Sequence, residues 1–136
     1  MFSQFRGNWE YKYFQKTAST VFSAGQLVAE GANGQIVPAL AASTALIGIV
    51  EVPVTATDAN FASNDRILVA VPRDSASEFV GPITTGTIAI TDENSLIDLT
   101  DADGADATAA VTEVLKIKEF QSTTLAVYTL NKPTIV

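Results

Sequence analysis

The chain has 136 residues, of which 47% are apolar, and it carries a formal net charge of −7 with neither cysteine nor histidine. This length and composition indicate one folded domain with a moderate core. The missing cysteines and histidines exclude disulfides, thiolate chemistry, the usual general base and the usual zinc ligand. The sequence contains no group of nucleophile, base or metal-ligand residues spaced to form one site. We therefore predict a protein that is not an enzyme and uses no cofactor or metal.

The N-terminal sixteen residues are the most aromatic part of the chain. Six of the eleven aromatic residues fall in the first fourteen positions, and Trp9, Tyr11 and Tyr13 alternate with charged residues as on one face of a strand. One interpretation is a first strand that contributes to the core of its own domain. The other is an extended arm that lies on a neighbouring subunit, because aromatic residues and arginine are enriched in interface hot spots.

The sequence leaves both interpretations open, and the flanks of the segment favour the arm. Gly7-Asn8 and the polar run of residues 15–20 are typical of hinges. We therefore predict an aromatic-rich N-terminal arm, residues 1–16, and a β domain, residues 17–136. The residues assigned to partner contact are Phe2, Phe5, Arg6, Trp9, Tyr11, Tyr13 and Phe14.

The glycine-rich stretch GQLVAEGANGQIVPAL predicts a β-hairpin. Asn33-Gly34 favours a tight turn between its two apolar runs, because both residues tolerate positive φ. A phosphate-binding loop would need a helix after the glycines. Instead Ile36 and Val37 favour a strand, and Pro38 cannot donate to a helical ladder.

Short β-forming segments separated by turn residues make up the rest of the chain. LIGIVEVPV is predicted as a strand with Leu46, Val50, Val52 and Val54 on one face. RILVAVP is apolar on both faces, as in a central strand, and Pro72 ends it. GTIAITD and SLIDL are further short candidates, while VTEVLKIKEF and TLAVYTL predict a C-terminal hairpin. Since no segment is apolar at helical spacing, we predict an all-β fold, a small single-domain β-barrel or sandwich with an extended N-terminal arm.

The negative charge is concentrated in the middle of the chain. Residues 58–106 hold ten of the fifteen acids against two arginines. Nucleic-acid binding requires a basic surface, so we predict no nucleic-acid partner and a middle segment that faces solvent or a basic partner. We also predict no membrane partner, because no continuous apolar stretch approaches the roughly 20 residues that a spanning helix needs.

The acidic stretch DLTDADGAD is the one segment that resembles a cation-binding loop. Alternating carboxylates before a glycine can wrap a calcium ion, and Asp101 and Asp103 precede Gly104 in this way. Counting from Asp101, however, the twelfth loop position is Thr112 instead of the bidentate glutamate that an EF-hand requires. We therefore predict a solvated loop without a tight calcium site.

The segment from Phe14 to about Val71 resembles the head-decoration (capsid cement or auxiliary) proteins of tailed bacteriophages. The similar residues are VFSAGQLVAEGANGQIVPAL, then STALIGIVEVPV, then RILVAVPRD. Those families often have a Gly-x-Leu-Val strand, a Gly/Asn turn, a strand ending near Pro-Ala and an Ile-Gly-Ile/Val strand. SLIDLTDADG resembles an Asp-Leu step that often follows a glycine there, although Asn94-Ser95 stands where that glycine would be.

The resemblance implies a structural virion protein on the exterior of the capsid, assembled in the cytoplasm of a bacterial host. Such a subunit binds the outside of an assembled head, bridges major capsid proteins and is often a homotrimer. It has no catalytic residues to carry over. An alternative is a carbohydrate-binding or host-attachment β-domain of a head fibre, which would need exposed aromatic side chains on a rigid face.

Overall fold

The computed structural model describes residues 1–131 of the chain. It confirms the predicted fold class, because about half of the chain lies in strands, about 5% lies in helical turns, and the strands form one small all-β domain with a closed barrel. The last five residues of the predicted β domain lie outside the described part.

Eleven strands and two short 3-10 helices follow one another along the described chain. The strands are β1 Ser3–Arg6, β2 Trp9–Gln15, β3 Leu27–Glu30, β4 Ile36–Pro38, β5 Leu46–Val50, β6 Arg66–Pro72, β7 Glu78–Thr85, β8 Leu96–Asp101, β9 Gly104–Asp106, β10 Leu115–Ser122 and β11 Leu125–Leu130. The 3-10 helices are Ala32–Gly34 and Ile90–Asp92.

The first sheet closes into a five-stranded barrel. Its order is β7-β11-β10-β8-β9, and β9 returns to pair in parallel with the end of β7. The start of β7 pairs with β1 instead. The barrel is filled by large apolar side chains of its own strands, among them Phe79, Leu99, Ile117 and Tyr128.

The second sheet has the order β2-β6-β5-β3-β4 and is covered on both sides. One side, with Leu27 and Ile49, belongs to the same core as the barrel. The other side, with Val28 and Val69, packs on a second cluster centred on Phe22. Burial on both sides explains why LIGIV and RILVAVP are continuous apolar runs. It confirms that RILVAVP is a central strand, which ends at Pro72 as predicted.

Both predicted hairpins are present. β3 and β4 pair in antiparallel register, and the turn between them places Asn33 at φ 59° and Gly34 at φ 72°. These are the positive values that the residue types indicate. β10 and β11 pair from Leu115 opposite Leu130 to Ser122 opposite Leu125. SLIDL also forms a strand, β8, as predicted.

Two of the predicted strands are wrong in their extent or type. LIGIVEVPV is a strand only to Val50, and Val52 is 52% exposed and does not share a buried face with Leu46. GTIAITD is not a strand, because Asp92 accepts the Ala89 amide and closes a 3-10 turn there.

Strands β7 and β9 were not predicted at all. β9 has only three residues, two of them glycine and aspartate, which are depleted in strands.

The predicted N-terminal arm is also corrected. β1 pairs with β7, and all seven residues of β2 pair with β6, from Trp9 opposite Pro72 to Gln15 opposite Arg66. Phe2 is 1% exposed. These strands belong to the two sheets of the domain because their apolar side chains complete both cores. The first interpretation, a strand that contributes to its own core, describes this chain.

The polar run predicted as a hinge is instead anchored. Lys16 is fully buried, and its ammonium group donates to the carbonyl oxygen of Phe61 at 3.1 Å and to that of Ser63. The backbone of Lys16, directly after β2, forms a parallel bridge to Ile36 of β4, so the two edge strands of the second sheet lie close together there. A buried ammonium group is tolerated only with such hydrogen-bond partners. The Lys16 ammonium group therefore holds the segment around Phe61 against the second sheet.

The ring of Phe2 depends on a glycine. A Cβ atom on Gly81 would lie 2.1 Å from the Phe2 ring, so the ring occupies the space that a side chain would take. We expect Gly81→Ala to lower the free energy of unfolding by about 1–3 kcal/mol, the usual cost of overpacking. In a Phe2→Ala background the same change should cost clearly less. Urea unfolding of the four proteins measures this coupling, and additive effects would contradict the packing described.

Candidate partner-contact surface

The aromatic residues of β2 differ in burial, although Trp9, Tyr11 and Tyr13 alternate on one face of the strand. Trp9 packs edge-on against Phe79, with ring centroids 6.2 Å apart, and its indole N–H donates to the Arg6 carbonyl at 3.1 Å. Phe14 packs on the second core cluster. Tyr11 and Tyr13 are 57% and 62% exposed. Because β2 is paired over its full length with β6, these two tyrosines project from a fixed backbone.

Tyr11 is oriented by a polar contact across the two sheets. The side-chain amide of Gln4, on β1, donates to the Tyr11 hydroxyl at 3.3 Å and to a Glu51 carboxylate oxygen at 2.9 Å. One amide group thus links the first strand, the second strand and the end of β5. The tyrosine is held in place while its ring stays exposed.

Tyr13 borders a shallow pocket of about 240 Å³. Val52 and Pro53 form part of its wall, and Asn60 and Arg66 supply polar groups. We call the set of Tyr11, Tyr13, Val52, Pro53 and Arg66 the tyrosine surface. It combines exposed aromatic and aliphatic area with one cation, a composition enriched where proteins bind one another.

Phe5 and Arg6 are exposed on β1 but are largely engaged with each other and with nearby acids. The Arg6 guanidinium carbon lies 4.5 Å from the centre of the Phe5 ring. Arg6 also forms ion pairs of 2.7 Å with Glu78 and Glu119. The hydrogen bond that Arg6 donates to Glu119 is the main cause that raises the Arg6 pKa, so the guanidinium stays charged. Surface ion pairs of this kind contribute little to stability.

The seven residues predicted for partner contact thus have three different positions. Tyr11 and Tyr13 lie on the tyrosine surface, and Phe5 and Arg6 are exposed on β1, where Arg6 contacts Glu78 and Glu119. Phe2, Trp9 and Phe14 pack inward and support these strands from below. Val52, Pro53 and Arg66 were not predicted for this surface; Val52 and Pro53 follow β5, and Arg66 begins β6. The one available signal was Pro53, which disfavours a continued central strand.

The acidic loop is a tight hairpin between β8 and β9. Asp101 accepts the backbone N–H of Asp103 at 2.8 Å, and Asp103 accepts the Gln26 side-chain amide at 3.2 Å. Within residues 1–131, no group of three or more acidic side chains is placed to hold a metal ion.

We expect no calcium-dependent change in the melting temperature of the isolated protein. The carboxylates of Asp101 and Asp103 orient the turn itself and do not converge on one point. Differential scanning calorimetry with millimolar calcium or with chelator measures this. A rise in melting temperature with calcium that disappears in the double variant Asp101→Ala, Asp103→Ala would contradict it.

No protein-family model matches the chain, and no curated protein is similar to it in sequence. Across the described residues there is also no helix with the length and apolar character needed to cross a bilayer.

Proposed function

We propose that this protein is a structural virion protein that binds the outside of an assembled phage head and stabilises the capsid by bridging major capsid proteins. The observation that carries the proposal is the tyrosine surface, in which two exposed tyrosines project from a strand fixed within a compact β domain. The resemblance of residues 14–71 to head-decoration proteins supports the same role. We further propose that the subunits form a homotrimer and perform no catalysis.

The rigid tyrosine surface suits a contact that must resist separation from the shell. Tyrosine offers a large amphipathic area and loses little side-chain entropy on binding, and Tyr11 is already oriented by Gln4. Since the backbone of β2 is locked to β6, little ordering cost would remain when the surface meets the shell. The concentration of acids in residues 58–106 gives a surface that repels DNA, so the proposed role involves no nucleic-acid contact.

The test is co-sedimentation with heads of the encoding phage from which the native protein has been stripped. We expect Tyr11→Ser, Tyr13→Ser to fold normally and to lose at least tenfold in binding to the heads. The matched control is Leu40→Ser, since Leu40 is 63% exposed and does not belong to the tyrosine surface. Full binding by the tyrosine variant would reject this surface as the contact. Absence of binding by the unchanged protein would reject the function.

A carbohydrate-binding or host-attachment function is the second candidate. Exposed rings beside polar side chains suit a sugar, and Tyr11 and Tyr13 lie near Gln4, Glu51 and Asn60. A glycan array separates the two functions. Saturable binding of a defined glycan that is lost in the tyrosine variant would favour attachment to a host surface.

A further inference from the structure

A second surface lies at one end of the barrel, apart from the tyrosine surface. A pocket of about 230 Å³ opens between the segment after β7 and the loop after β9. Ile88, Ile97 and Ile117 supply apolar lining, Ala109 and Ala110 form a smooth wall, and Asp92 is its charged residue. We call this the barrel-end pocket. Its volume is below the roughly 300–1,000 Å³ of small-molecule sites and suits a single side chain.

Exposed aliphatic residues stand on both sides of the pocket. Ile90 lies between two lining residues and is 65% exposed, while Val111 follows the alanine wall and is 87% exposed. Two large aliphatic side chains beside an apolar pocket make a continuous surface of the kind that proteins cover on binding.

Both sides of the pocket are held by carboxylates. Asp92 accepts the Ala89 amide at 2.7 Å and closes the 3-10 turn that displays Ile90. Asp98 accepts the Val111 amide at 3.0 Å on the other side. The pocket is therefore preformed, which lowers the ordering cost of binding.

The charge around the pocket is negative and uncompensated. No lysine or arginine occurs between Arg73 and Lys116, while that interval holds nine acids. Asp92 lines the pocket, and Asp106 immediately precedes the lining segment and accepts hydrogen bonds from Thr108, which lines it. Of these nine acids, only Glu78 forms an ion pair within residues 1–131, with Arg6. The other two ion pairs join Glu119 to Arg6 and Glu10 to Arg73. A largely apolar pocket whose nearby charges are all of one sign attracts the opposite sign.

The nearest lysines in sequence do not neutralise this site. Lys116 and Lys118 flank Ile117 but line a different groove with Ser75 and Glu78. Because successive side chains of a strand point to opposite faces, Ile117 faces the barrel interior and the lysines face away from it.

We propose that the barrel-end pocket docks a cationic protein segment that presents one branched aliphatic side chain between basic residues. The aliphatic group fills the pocket against the isoleucines, and the flanking cations meet Asp92 and Asp106. This interaction goes beyond the proposed capsid role and does not depend on it. A subunit with two separate contact surfaces can link two partners.

The experiment is an NMR titration of the ¹⁵N-labelled full chain with the synthetic peptide Lys-Arg-Leu-Arg-Lys, blocked at both ends. We expect saturable shifts confined to the amides of residues 88–97 and 107–111, with a dissociation constant below about 1 mM. Raising the salt from about 50 to 300 mM should weaken binding at least fivefold, because screening shortens the reach of the carboxylates. Replacing the central leucine of the peptide by glycine should weaken it at least tenfold.

Variants and competing ligands make the result specific. Ile90→Ser with Val111→Ser removes exposed groups only and should weaken binding at least tenfold, whereas Leu40→Ser should leave it unchanged. Asp92→Asn keeps an oxygen for the turn and should weaken binding about threefold. Absence of binding at millimolar peptide, or shifts elsewhere on the protein, would overturn the proposal. The proposal would also be overturned if spermine or the glycine peptide bound as tightly as Lys-Arg-Leu-Arg-Lys, because that would show attraction by charge alone. Equally tight binding of a peptide with glutamates in place of the basic residues would overturn it as well.

Discussion

A chain that starts at residue 17 should fail to fold. It would lose β1 and β2, the Phe2 ring that packs 5.7 Å from Phe79 and 6.0 Å from Tyr128, and the buried Lys16. Removing one buried aromatic residue costs about 3–5 kcal/mol. The total stability of a domain is only about 5–15 kcal/mol. Loss of the fully buried Phe2, the partly buried Trp9 and Phe14, and the whole β1–β7 and β2–β6 pairings should therefore leave too little to fold. Circular dichroism and a thermal melt of the truncated chain measure this.

The matched control keeps the strands and changes only their exposed rings. A full-length variant with Phe5→Ser, Tyr11→Ser and Tyr13→Ser should melt cooperatively within a few degrees of the unchanged protein, because these side chains are 46–62% exposed. A cooperative melt of the truncated chain would show that the domain folds without β1 and β2, and residues 1–16 would then be an arm as first predicted.

Asp98→Ala should be the most damaging substitution of an acidic residue. Asp98 is 5% exposed, and its carboxylate accepts the backbone amides of Val111, Thr112 and Glu113 at 2.8–3.0 Å. Each hydrogen bond to a charged group is worth about 1.5–3 kcal/mol, so we expect a loss of about 3 kcal/mol or more. Asp101→Ala is the control, since Asp101 is exposed and should cost less than about 1 kcal/mol. Equal costs in urea unfolding would contradict the role of Asp98.

The same carboxylate predicts how stability depends on pH. Burial acts to raise the Asp98 pKa, but the hydrogen bonds from Glu113, Val111 and Thr112 outweigh it and lower the pKa below its usual value. The group therefore stabilises the fold fully above its unfolded pKa of about 3.9 and loses that contribution as the pH falls through the lowered folded value. Unfolding free energies measured from pH 6 to pH 2 should decline less steeply in Asp98→Asn than in the unchanged protein. Parallel curves would contradict this assignment.

Local patterns predicted those parts of the fold that depend on neighbours in sequence. The Asn33-Gly34 turn and the C-terminal hairpin follow from backbone preferences and alternation, and both are present. The apolar run of β6 indicated burial on both faces for the same local reason. β9 could not be predicted, because it is a strand only through its pairing with β7 and β8.

The position of the N-terminal strands depended on long-range contacts that the sequence does not display. The alternation of Trp9, Tyr11 and Tyr13 predicted one face of a strand but not that the barrel lies under Trp9 alone. Tyr11 and Tyr13 are exposed, as a contact with a partner would require, whereas Phe2 was assigned to a partner although it fills the space above Gly81. The polar residues 15–20 were predicted as a hinge, but Lys16 is buried there. Its hydrogen-bond partners are carbonyl groups 45 and 47 residues away in sequence.

The proposed function is tested most directly by cryo-electron microscopy of purified tailed-phage heads to which this protein is bound. We expect density for the domain on the outer surface of the shell, with Tyr11 and Tyr13 in contact with at least one major capsid protein. Subunits should bridge neighbouring capsid proteins and group in threes. A shell without added density, or density in which the tyrosine surface faces solvent, would contradict the proposed function or the proposed contact respectively.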